Sequence, residues 1–179
     1  MLQLHKTMYI KRQWVFLLPL FAVIWSGCPF PQDELAIPET NYVPLFMTRT
    51  QLEASVKSQS ARKLTNPGKF ILYNNFIFLN EKYEGVHVID NTNPAAPVKL
   101  SFISIPGCID VSIRNDKLVA DNAVDLVVLD IFNKTQVVEV QRKPNTFPEM
   151  NPPDMGELPD KYKKENRDEG LIIVGWEAK

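Results

Sequence analysis

A chain of 179 residues with 20 basic and 21 acidic side chains, net −1, suffices for one ordinary domain and lacks the basic excess of a nucleic-acid-binding surface. Its two cysteines, Cys28 and Cys108, are far apart in different contexts and exclude a disulfide framework. Fourteen prolines against seven glycines cluster toward both ends, so extended arms around a β core are expected.

Residues 1–27 read as an export signal. Lys6, Lys11 and Arg12 form a basic start without any acid, and the apolar run Trp14–Trp25 leads into Ser26-Gly27-Cys28. Twelve apolar residues interrupted by Pro19 are short for a spanning helix, which needs about 20. A cysteine directly after Ser-Gly resembles the lipobox of bacterial lipoproteins, with Trp25 where that family usually has leucine. The resemblance implies that Cys28 is the first mature residue and the lipidation site; the other reading of the leader is an uncleaved signal anchor. Two acyl chains on one residue hold a protein on a membrane stably. Pro29, not aspartate, follows Cys28, so a bacterial outer membrane or cell-surface address is expected. The remainder carries 17 basic and 21 acidic residues, net −4.

Residues 28–68 read as a proline-rich tether with a short helix. Prolines at 29, 31, 38 and 44 without apolar periodicity describe an extended arm. In Met47–Gln59, Thr48 or Thr50 can cap a helix, Glu53 stands three residues after Thr50 as in a capping box, and Leu52 and Val56 share one face. Leu64-Thr65-Asn66-Pro67-Gly68 is a turn signal into the first strand of the repeat.

Residues 69–143 repeat themselves at an ungapped offset of forty, dividing into 69–107 and 108–143. Asn74–Leu100 falls on Arg114–Val140 with five identities in twenty-seven positions, among them Val88/Val128, Asp90/Asp130 and Asn93/Asn133. Apolar pairs also align, as at Phe78/Leu118, Leu79/Val119 and Val86/Leu126. Strands are expected at Phe70–Tyr73, Phe76–Leu79, Val86–Ile89 and Val98–Ile105, then at Ile109–Ile113, Lys117–Ala120, Leu126–Asp130 and Val137–Gln141. Asp90 and Asp130 end apolar runs and open Asp-x-x-Asn turns with Asn93 and Asn133, where a side-chain oxygen accepts backbone N–H groups two residues on. A strand-built period of about 40 residues is the size of a four-stranded propeller blade. The expected fold is therefore all-β: two four-stranded β-propeller-type blades, a partial propeller.

VHVIDNTNPAAPV and LVVLDIFN resemble the LVIVD repeat of lipid-anchored bacterial surface proteins, in which a Leu-Val-Ile-Val-Asp-like run precedes an Asn-Pro turn. The resemblance spans about Pro44 to Lys143 and implies a β-propeller; Lys134 replaces the proline in the second copy. A four-bladed propeller needs about 160 residues of repeat. The chain is thus expected to be a short or truncated member, to assemble with other copies, or to be capped by its own arms.

Residues 144–179 form a proline-rich charged loop and a terminal strand. Gly170–Glu177 is that strand, expected to pair with the last blade or to open a third, because EGLIIV echoes EGVHVI. Candidates for chemistry are sparse. His87 lies within an apolar strand and reads as a packed strand residue, and Cys108 reads as a buried small residue rather than a reactive thiol. Asp110, Asp116, Asp121 and Asp125 crowd the second copy, but their spacing matches no calcium loop, so no metal or other cofactor is assigned. The expected function is non-enzymatic binding or scaffolding at the envelope, with the membrane, envelope proteins or glycans as partners. The alternative is a propeller-type glycan hydrolase or lyase whose site needs further blades.

Overall fold

A computed structural model describes residues 37–179; Cys28, the leader and the first part of the tether lie outside the described residues. The fold is all-β, built from antiparallel sheets. In chain order the elements are β1 (Tyr42–Thr48), α1 (Arg49–Glu53), β2 (Lys57–Ser60), β3 (Pro67–Tyr73), β4 (Phe76–Glu81), β5 (Gly85–Asp90), β6 (Val98–Ser104), β7 (Val111–Arg114), β8 (Lys117–Asn122), β9 (Asp125–Asp130), β10 (Val138–Lys143) and β11 (Leu171–Ala178). No helix among the described residues is long and apolar enough to cross a membrane.

Each copy of the repeat makes one meander. Sheet 1 has the order β2-β6-β5-β4-β3 and sheet 2 the order β10-β9-β8-β7. The expected strands of the repeat are present with ends moved by a few residues, and β2 is an addition. Its sequence, Lys-Ser-Gln-Ser, has no apolar alternation, yet it pairs antiparallel with β6, Ser58 opposite Ile103. The bends from β3 to β4 and from β7 to β8 use residues that tolerate positive φ: Asn74 at 53°, Asn115 at 50° and Asp116 at 54°.

Strand register refines the repeat. Phe76 faces Asp90 across β4 and β5, and Lys117 faces Asp130 across β8 and β9. The β5/β9 strands therefore correspond at an offset of 40 and the β4/β8 strands at 41, because three residues (82–84) link the first pair and two (123–124) the second. The ungapped pairing of Phe78 with Leu118 is corrected accordingly: Phe78 corresponds to Val119 and Ile77 to Leu118. The same bulge occurs in both copies, leaving Leu100 unopposed beside β5 and Val140 unopposed beside β9.

The two sheets pack face to face over one core. Sheet 1 contributes Phe78, Val86, Val88 and Ile103, and sheet 2 contributes Val111, Leu118, Ala120, Val127 and Leu129. Full burial of an aliphatic or aromatic side chain of this kind is worth about 1.5–3 kcal/mol. Polar ties cross the same joint. Asn80 Nδ2 donates to the Ile109 carbonyl at 2.7 Å, Ser101 Oγ to the Lys134 carbonyl at 2.8 Å, and the Asp116 amide to Tyr73 Oη at 3.0 Å.

Two expectations about the arms are corrected. Residues 42–48, read as tether, form β1, and β11 pairs antiparallel with β1 instead of the last sheet of the repeat, Met47 opposite Ile172. Every strand of a two-stranded sheet is an edge, the setting in which Pro44 is tolerated. The helix is capped by Thr48, not Thr50: Thr48 Oγ1 accepts from the Gln51 amide, and Gln51 Oε1 accepts from the Thr48 amide at 2.8 Å, so Gln51 fills the position assigned to Glu53. Leu52 is fully buried with Val124, Ile172 and Val174, which fastens α1 and β11 to the turn between β8 and β9. The tail is tied back as well, since Asp154 accepts from Thr40 Oγ1 at 2.7 Å and from the Asn41 amide at 2.8 Å.

The turn entering β5 needs glycine. Gly85 has φ of 141°, and an added Cβ would overlap the Ile103 carbonyl and stand 2.8 Å from the Ile105 nitrogen. Gly170, at φ of 82°, has nothing near its missing Cβ. Gly85→Ala is expected to lower the unfolding free energy by about 3 kcal/mol or more and Gly170→Ala by about 1 kcal/mol, measured by urea denaturation. Equal effects would contradict the steric account.

Candidate functional site

A dense polar cluster lies where β4 turns into β5. Leu79 faces His87 and Glu81 faces Gly85 across the pair, so Glu81 and His87 are diagonal neighbours on one face of sheet 1. That face is the one turned away from sheet 2. Glu81 is fully buried and accepts five hydrogen bonds. Its Oε1 takes the Thr65 amide at 2.6 Å, the Thr65 hydroxyl at 2.5 Å and the Asn66 amide at 3.1 Å. Its Oε2 takes Arg62 Nη2 at 2.6 Å and His87 Nε2 at 2.9 Å. Burial alone would favour the neutral acid, but the bonds from Thr65, Arg62 and His87 outweigh it and hold Glu81 well below the usual carboxylate range. An ionised carboxylate only accepts, so His87 Nε2 carries the hydrogen between them.

Aromatic packing completes the cluster. The Arg62 guanidinium lies 3.7 Å from the Phe102 ring centroid, and the His87 ring meets the same phenyl edge-on at 4.8 Å. Arg62 also pairs with Glu84. Beside it opens a cleft of about 380 Å³ whose walls include Arg62, Tyr83, Glu84, Ser104 and Trp176. Tyr83 adopts φ of 68°, a conformation that costs a non-glycine residue about 1–3 kcal/mol. It is held there because its amide donates to the Cys108 carbonyl at 2.8 Å and its carbonyl accepts from the Gly107 amide at 2.8 Å. His87 Nδ1 and Trp176 Nε1 are buried without a partner.

A second buried carboxylate marks the start of β9. Asp125 is fully buried and accepts from Arg49 Nη1 at 2.6 Å, Arg142 Nη1 at 2.9 Å and the Asn145 amide at 3.0 Å. It thereby joins α1, β10 and the start of the tail. Desolvation opposes its charge, and these donors still hold its carboxyl below the usual carboxylate range. The other acids of the second copy are dispersed. Asp110 pairs with Lys69 at 2.8 Å, Asp116 lies 3.6 Å from Lys134, and Asp121 accepts from the Ile109 and Asp110 amides. Among the described residues no group of three or more His, Cys, Asp or Glu side chains is gathered to hold a metal ion. Cys108 is fully buried, and burial together with the charges of Asp121 and Asp110 pushes its thiol well up, so it is a protonated, packed residue.

At the turn residues singled out from sequence, Asp90 Oδ1 accepts from the Thr92 amide at 2.8 Å and Asn93 Oδ1 from the Ala95 amide at 3.2 Å. In the second copy Asp130 Oδ1 accepts from the Phe132 amide at 2.8 Å and Asn133 Oδ1 from the Thr135 amide at 3.0 Å. Lys134, where the first copy has Pro94, donates from Nζ to the Ile131 carbonyl at 2.6 Å, so a side-chain bond braces a turn that proline stiffens in the first copy. Cys28 lies outside the described residues. Sequence reasoning missed Glu81 and Arg62 as centres and weighed Asp125 only among the acids of a calcium loop. The signal available for Glu81 was its position six residues before His87 across a tight turn; nothing local singles out Arg62.

Glu81 gives a pH test. Its folded-state acidity is stronger than that of an unfolded glutamate, near pH 4.3. Its contribution is therefore complete above that value and is lost as pH falls toward the folded pKa. Glu81→Gln is expected to cost about 3 kcal/mol at neutral pH and to flatten the acid limb of stability below about pH 4. An unchanged slope in acid denaturation curves would contradict the assignment.

Taken together, the cleft offers a guanidinium, a carboxylate and aromatic walls, an arrangement suited to holding a polar ligand, while Glu81 is saturated as a structural anion. No family model, curated protein or solved structure matches the chain.

Proposed function

We propose that the chain is an exported, lipid-anchored, non-enzymatic β-propeller-type module that binds or scaffolds at the bacterial outer membrane or cell surface, a member of the LVIVD-repeat lipoproteins. The observation that carries the reading is the stacking of two repeated four-stranded meanders, face over face, with matching bulges and matching Asx turns. Such stacking supports a propeller-type reading, in which adjacent sheets form a scaffold that presents surfaces and clefts. The buried acids support binding over turnover, because Glu81 and Asp125 are each enclosed by cationic and backbone donors and hold elements together. The leader supplies the address: a basic start, an apolar run and Ser26-Gly27-Cys28.

Intact-mass measurement of the protein extracted from its own membranes tests this reading. The expected species begins at residue 28 and carries a lipid-modified Cys28; Cys28→Ser is expected to leave the chain unlipidated and the leader uncut. An unlipidated wild-type chain retaining Met1 would overturn the anchor.

A further inference from the structure

The register shows that the chain carries both halves of an interface it already uses once. Among the side chains by which sheet 2 meets sheet 1 are Val111, Ile113, Leu118, Ala120, Val127 and Leu129. Their counterparts in sheet 1 are Phe70, Leu72, Ile77, Leu79, His87 and Ile89, which lie on its outward face, His87 already buried there against Phe102. Val111 is 2% exposed, whereas its counterpart Phe70 is 67% exposed and Leu72 62%. The converse holds for the other half. Phe78, Val86 and Val88 of sheet 1 face sheet 2, and their counterparts Val119, Leu126 and Val128 lie on the outward face of sheet 2. There Val119 and Leu126 line a hollow of about 420 Å³ together with Ser112, Phe147 and Met150. One end of the stack thus carries exposed apolar side chains, and the other carries a hollow with an apolar centre.

We infer that a second copy of this chain covers these faces, head to tail, the outward face of sheet 1 packing on the outward face of sheet 2 of its neighbour. Applying the step from sheet 1 to sheet 2 once more places a further sheet on the outward face of sheet 2. The sheet 1 of another copy has the right strands in the right order for that position. The contact joins unlike faces, so it propagates until rotation closes a ring. Propellers close at roughly four to eight sheets, to which each copy brings sheets 1 and 2. The inference rests on the propeller-type reading of the repeat and is independent of the lipid anchor.

Native mass spectrometry of the full chain in mild detergent, with sedimentation velocity, reads subunit mass and stoichiometry separately, so the anchor and the assembly fail distinguishably. The expected result is a closed oligomer of defined copy number. Leu72→Lys and Ser112→Arg alter exposed side chains on opposite outward faces, and each alone is expected to give monomers with unchanged circular dichroism. Mixed, they are expected to form a one-to-one dimer and nothing larger, since each variant keeps one intact face and the two altered faces repel. A wild-type chain that stays monomeric at every concentration would overturn the inference. So would variants that keep the wild-type stoichiometry, or a mixture that forms no dimer.

Discussion

The structure depends on one apolar joint, the surface where sheet 1 and sheet 2 bury each other. A four-stranded meander alone exposes both faces, and isolated antiparallel units of this size are marginal without a covered apolar face. The second copy of the repeat supplies the cover, and the core formed by Phe78, Val86, Val88, Leu118, Val127 and Leu129 belongs to neither copy alone. The small sheet of β1 and β11 is secondary to this joint. It is fastened through Leu52 to Ala123 and Val124, a turn that exists only because sheet 2 is in place.

Polar side chains at the sheet ends follow the same division. Alternation along β4 sends Asn80 toward the joint and Glu81 away from it; along β8 it sends Asn122 toward the joint and Asp121 away. The two amides donate within the joint, Asn80 to the Ile109 carbonyl and Asn122 to the Pro106 carbonyl at 2.6 Å. The two acids accept from the backbone that leads into the first strand of their own copy of the repeat, Thr65 and Asn66 for Glu81, Ile109 and Asp110 for Asp121. The order of acid and amide is reversed between the copies, Asn80-Glu81 against Asp121-Asn122, because the joint is made by opposite faces of the two sheets. Chemical role follows whether a position faces the joint, not its structural counterpart in the other copy.

Most of the repeat was legible because its signals are local: apolar runs bounded by Asx turns and asparagine bends mark strands within a few residues. What escaped depends on distant partners. β2 has no apolar pattern and is a strand only because β6 offers it an edge, and Tyr42–Thr48 looked like tether because Pro44 disguises a strand completed by residues 171–178. The one-residue change in register is invisible to an ungapped alignment, since a turn shortened by a residue shifts one strand of a hairpin and leaves the other in place. The candidate site was half legible. His87 stood out as a histidine within an apolar strand, but Arg62, which neutralises its partner Glu81, comes from a stretch without a recognisable pattern.

The claim that both copies share one core is tested most directly by native-state hydrogen exchange resolved to single amides. Amides of β4 and β5 in sheet 1 and of β8 and β9 in sheet 2 are predicted to exchange through one common opening with the same free energy, equal to that of global unfolding. A sheet 2 that stays protected while the amides of β4 and β5 exchange freely would contradict the shared core and make the two copies independent units.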